Sequence, residues 1–78
     1  MNKKHITLNS DICNGKPAIT GTRIAVQSIL EFLAAGDSID NILEEYPDLT
    51  RENILACIEY ASKLMANHYD AEKLILKK

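Results

Sequence analysis

Between residues 26 and 65 the chain repeats one pattern three times: apolar side chains spaced for a single helical face, then a break. Val26, Ile29, Leu30 and Leu33 fall at i, i+3, i+4 and i+7, and Gly36 ends the run. Ile39, Ile42, Leu43 and Tyr46 repeat the spacing, with Asp37 or Ser38 as the cap. Pro47 closes that segment, because the residue before a proline is pushed out of the helical region. Thr50 suits the N-cap of a third helix, and Glu52 suits its positive first turn. The third face reads Ile54, Cys57, Ile58, Ala61 and Met65. Three such helices must bury their faces on one another, so residues 25–66 are expected to form a three-helix bundle. The short turns Gly36-Asp37 and Pro47-Asp48-Leu49 fit a helix-turn-helix. Leu30, Leu43 and Ile58 are expected to meet at its centre.

Residues 1–24 read as an extended β arm. His5-Ile6-Thr7-Leu8 alternates polar and apolar, Asn14-Gly15 is a turn signal, and Pro17-Ala18-Ile19-Thr20 suits a second short strand. The fold class is therefore mostly α, a short N-terminal β hairpin or arm followed by the bundle. Residues 1–20 offer few local partners, so the arm is expected to pair with that of a second subunit or to pack across a dimer. Residues 67–78 read as a C-terminal tail or a helix extension. Its Tyr69, Leu74, Ile75 and Leu76 are expected to cover their own domain or to bind a partner protein.

With 78 residues this is one small domain, and four aromatic side chains leave its core aliphatic. That length excludes a barrel or doubly wound enzyme. Asp48, Glu52 and His68 could do acid–base work, but they form no triad or carboxylate pair, so no enzyme is expected. His5, His68, Cys13 and Cys57 lack metal-ligand spacing, and no metal or cofactor is expected. Two distant cysteines and the lack of a long apolar run point to a reducing cytoplasm, away from membranes.

Charge is unevenly spread. Residues 1–26 carry Lys3, Lys4, Lys16 and Arg23 against Asp11, a net +3. Residues 27–62 set Arg51 against eight acids, a net -7. Residues 63–78 return to +2, with four lysines against Asp70 and Glu72. A basic arm and tail around an acidic middle can orient a partner.

The segment Gly15-Lys16-Pro17-Ala18-Ile19-Thr20-Gly21-Thr22-Arg23-Ile24 lacks the Gly-Lys-Ser/Thr of a phosphate loop. Its glycines and Thr22 suit a loop tied to a helix start, and Arg23 suits an internal or intersubunit carboxylate, or a phosphate. Together with Glu44-Glu45-Tyr46-Pro47-Asp48-Leu49-Thr50, this run resembles a bacterial and archaeal domain of unknown function with a homeodomain-like core. The signature is Gly-Lys-Pro, Gly-Thr-Arg-Ile and Tyr-Pro-x-Leu-Thr, spread over roughly residues 6–64. Members usually carry proline after Gly-Thr-Arg-Ile, where this chain has Ala25. Many look like VapB-type antitoxins of type II toxin–antitoxin modules paired with a PIN-like ribonuclease. The resemblance implies a homodimeric regulator that binds operator DNA and a toxin. Lys3, Lys4, Lys16, Arg23, Arg51 and Asn53 are then the DNA-binding candidates. Leu55 and Tyr60, with Ala56, read as an outward face and are the dimer candidates. A protein–protein adaptor with no DNA role is the alternative, favoured by the acidic middle.

Overall fold

The computed structural model describes the backbone of residues 5–76 and the side chains of residues 5–66. Two short strands, β1 (Ile6–Thr7) and β2 (Ala18–Ile19), precede three helices, α1 (Val26–Ala34), α2 (Ile39–Glu45) and α3 (Arg51–Leu76). The strands pair antiparallel, Ile6 opposite Ile19 and Thr7 opposite Ala18. The chain is thus mostly helical, with a two-stranded hairpin ahead of a small three-helix bundle.

The arm folds back on its own chain as the expected hairpin. Ile6, Ala18 and Ile19 are buried, and β1 packs on α3. Two backbone bonds fasten the arm to the start of α1. The Val26 N–H donates to the Pro17 carbonyl and the Ile19 N–H to the Ile24 carbonyl, each at 2.9 Å. Thr22 completes the clasp: its hydroxyl donates to the Ile19 carbonyl (2.8 Å) and accepts from the Ile24 N–H (3.0 Å). Between the strands, Cys13, Asn14 and Gly15 all adopt positive φ, at 53°, 56° and 82°. Asparagine and glycine tolerate this region, and a cysteine there costs about 1 kcal/mol. The Cys13 thiol faces the Arg23 carbonyl at 3.1 Å and ties the turn to the clasp.

The helix ends follow their sequence signals. After α1, the Gly36 N–H donates to the Leu33 carbonyl and the Asp37 N–H to the Phe32 carbonyl, both at 3.0 Å. Gly36 takes φ 101°, the left-handed conformation this Schellman ending requires. Ser38 caps α2 by accepting from the Asn41 N–H at 3.1 Å. Thr50 and Asn53 cap α3 reciprocally, as a capping box does.

The core centres on Ile19, Ile29, Ile42, Ile54 and Cys57. This corrects the expected trio. Leu30 and Leu43 are half-buried at its edge, and Ile58 lies 40% exposed. The reason is a rotation of α3. The hairpin presses on the side where Ala56 sits, so Ala56 is buried at 2% exposure instead of lying on the outer face. Tyr60 turns inward with it, half-buried against the core.

Ala25 has φ -73° and ψ 143° and precedes the first turn of α1. Those angles suit proline, and the Ala25 N–H donates no hydrogen bond among the described residues. Ala25→Pro should therefore stabilise the fold by about 0.4–1 kcal/mol, by restricting the unfolded chain. A melting point raised by a few degrees checks this.

Candidate functional site

An apolar concavity lies between α1 and α3. Pro17 just before β2, Val26, Gln27 and Leu30 on α1, and Tyr60, Ala61 and Leu64 on α3 line a groove of about 330 Å³. Each wall has a local cause. The Val26–Pro17 backbone bond holds the arm over the start of α1. Tyr60, Ala61 and Leu64 continue the inward face of α3 beyond Cys57, at spacings of three or four residues. Leu30 and Tyr60 are half-buried, whereas Leu64 is 56% exposed. Lys16 stands exposed at the rim. Such a lining offers apolar contact and little hydrogen bonding.

The polar candidates are arranged differently. Arg51 makes the one ion pair among the described residues, with Asp40 at 3.8 Å. Both partners are well exposed, so the pair is screened by water and contributes little. Arg23 is exposed and engages no carboxylate, so the internal salt link considered for it is absent from the described chain. Asn53 is occupied by its own fold. Its Oδ1 accepts from the Thr50 N–H at 2.9 Å, and its Nδ2 lies 3.2 Å from His5 Nδ1. Lys3 and Lys4, and the side chains of Tyr69, Leu74, Ile75 and Leu76, lie outside the described residues. The backbone there is helical as far as Leu76, making the C-terminal stretch an extension of α3.

Acids line α2 and the first turns of α3. Asp37, Glu44 and Glu45 border one shallow depression with Phe32, Asn41 and Ile42. Glu52 and Glu59 border another with His5, Leu55 and Ala56. A phosphate approaching along the outer side of α3 would meet negative charge. Within the core, burial pushes the Cys57 thiol up to about 11, which leaves it protonated and unreactive near neutrality.

Sequence reasoning missed the groove and Leu64 altogether. Leu64 stands seven residues after Cys57 and four after Tyr60, and that spacing was the available signal. It also missed His5, which joins the arm to the cap of α3.

A hairpin clasped to three helices, with no buried polar or charged residue among those described, defines a small helical-bundle domain built on apolar contact. Within that class the chain belongs to the DUF433 family, described as a protein family of unknown function, whose pattern its residues 6–61 match. It is similar to the uncharacterized protein y4eO of Sinorhizobium fredii, 38% identical over 56 residues. The match takes in 72% of this chain and 25% of that relative, so the chain spans about a quarter of the relative's length. A crystal structure of a DUF433 member protein from Anabaena variabilis superposes with a TM-score of 0.74 at 28% identity. That match covers 87% of this chain and 66% of the solved one. Among the described residues no helix is long and apolar enough to cross a membrane.

Proposed function

We propose that the chain is an antitoxin-type regulator of the cytoplasm, a non-enzymatic module that holds a PIN-like ribonuclease through the α1–α3 groove. The observation that supports this reading is the groove itself. Its lining is apolar, its wall includes the half-exposed Leu64, and α3 runs onward from it as a ready docking rail. Apolar grooves between helices recognise partner helices in this way. As a dimer the same module would bind operator DNA. Its positive charge would come from Lys3, Lys4, Lys16 and Arg23, and from Arg51 at the start of α3.

The test is a search of the neighbouring reading frames for a PIN-like ribonuclease and its co-expression with the chain, followed by affinity and RNA-cleavage measurements. No such ribonuclease beside the chain would count against the reading. Leu64→Asp should weaken binding by about 2 kcal/mol or more and relieve inhibition, with an unchanged melting point. Unimpaired inhibition by that variant would remove the groove from the reading. DNA binding is measured by fluorescence anisotropy on the promoter fragment over a salt series. Contacts to about five phosphates give a log–log slope of roughly -4.5, and Arg51→Ala should weaken binding.

A second reading, a protein adaptor with no DNA role, is favoured by two observations: the acids along α2 and the first turns of α3, and the engagement of Asn53 by Thr50 and His5. Ribonuclease binding without any binding to the promoter at low salt would establish it.

A further inference from the structure

Asn53 Nδ2 lies 3.2 Å from His5 Nδ1, a side-chain contact between the arm and the first turn of α3. The cap of that helix fixes what each atom must do. The Thr50 N–H donates at every pH, and it lies 2.9 Å from one end of the Asn53 amide, so that end is the oxygen. The other end, Nδ2, can only donate. His5 Nδ1 must therefore accept, which puts the proton of the neutral ring on Nε2. Turning the amide over would set Nδ2 against the Thr50 N–H, donor against donor, and break the cap. The contact thus admits the neutral imidazole alone, because both nitrogens of the charged ring donate.

The surroundings offer the charged ring other partners. Glu52 and Glu59 on α3 border one depression with His5, Leu55 and Ala56. Among the described residues these two are the titratable groups that share it with the ring, and neither is ion-paired to it. From the β2 side, the uncharged Thr20 donates its N–H to the His5 carbonyl at 2.8 Å. That bond holds the main chain of His5 whichever way its ring turns. The residue is only half-buried, so solvent can supply the proton.

We propose that His5 is a proton-operated latch on Asn53. The neutral ring holds the Asn53 amide. Towards the acid end of pH 5–8, the range in which histidine changes charge, the ring takes a proton from solvent, gives up Asn53 and turns to Glu52 and Glu59. Asn53 Nδ2 is then free to bind an outside acceptor, on the same helical turn as Arg51. The inference rests on neither the ribonuclease nor the promoter DNA of the preceding reading.

Nuclear magnetic resonance of the whole chain, labelled with nitrogen-15 and titrated from pH 8 to pH 5, tests the latch. At pH 8 the ring nitrogens should report the proton on Nε2. The Asn53 side-chain amide signals should move in step with the His5 ring. Their hydrogens should exchange with water about tenfold faster once the ring is charged, after correction for the intrinsic pH dependence. His5→Phe should make the Asn53 amide indifferent to pH over this range. Asn53→Asp keeps an acceptor for the Thr50 N–H and sets a carboxylate against the ring. It should raise the midpoint of the His5 titration by about one pH unit, a tenfold tighter hold on the proton. Glu52→Gln combined with Glu59→Gln should lower that midpoint. A neutral ring protonated on Nδ1, an Asn53 amide that ignores the His5 titration, or a midpoint unmoved by Asn53→Asp overturns the latch. A midpoint unmoved by the two glutamines overturns the exchange of partners.

Discussion

Ile54→Ala should cost about 2–5 kcal/mol, whereas Ile58→Ala, one turn further along the same helix, should cost less than about 1 kcal/mol. Ile54 is completely buried in the cluster with Ile19, Ile29, Ile42 and Cys57, and its truncation removes transfer free energy and leaves a cavity. Ile58 is 40% exposed, so much of its side chain already meets water in the single subunit. A domain of 78 residues has a total stability of only about 4–12 kcal/mol at the usual yield per residue. The first substitution can therefore remove a large fraction of it. Urea denaturation of both variants, under conditions where the chain is monomeric, checks the contrast. Equal losses would contradict the orientation of α3.

The second large effect is alkaline. The folded Cys57 thiol titrates at about 11, against 9.0 for an unburied cysteine. Desolvation is the cause, since the thiolate would lie in an apolar core. The unfolded chain thus loses this proton first. The stability tied to the neutral thiol is complete below pH 9 and is lost as pH rises from 9 towards 11. Two pKa units correspond to about 2–3 kcal/mol. Cys57→Ala leaves a small cavity at every pH but carries no thiol to ionise. Denaturation of both proteins across this range should show the wild type losing its advantage as pH rises. Parallel curves would mean that the thiol ionises without unfolding the core. Near neutrality, thiol reagents should modify Cys57 no faster than the chain opens.

The helices were legible because their ends carry explicit chemistry. Gly36, Ser38, Pro47 and Thr50 each do what their side chain or backbone dictates. The inward face of α3 was harder to read. Residues 54–58 run Ile-Leu-Ala-Cys-Ile, apolar around more than half the helix, so periodicity alone could not choose between Ile58 and Ala56. The choice was made by the fold, in which β1 packs on α3 and Ala56 is buried. The strands and their hairpin were also visible, but the clasp that fixes them to α1 was not. An antiparallel pair of two-residue strands is held by Thr22 and by two backbone bonds to α1, and neither bond has a side-chain signature. The candidate site was the least legible part. Its walls come from residues 16–17, 26–30 and 60–64, which only the folded chain brings together.

The bond between His5 and Asn53 spans 48 positions and has a bearing on the order in which the molecule assembles. Contacts of α1 with α2 and of α2 with α3 join neighbours in the chain and close small loops. Seating β1 on α3 closes a long one, and its entropic cost falls due before any burial repays it. The helices are thus placed to form the folding nucleus, with the arm docking after the transition state. Truncation of Ile6 would then act chiefly by accelerating unfolding, whereas truncation of Ile29 or Ile42 would slow the search for the native fold.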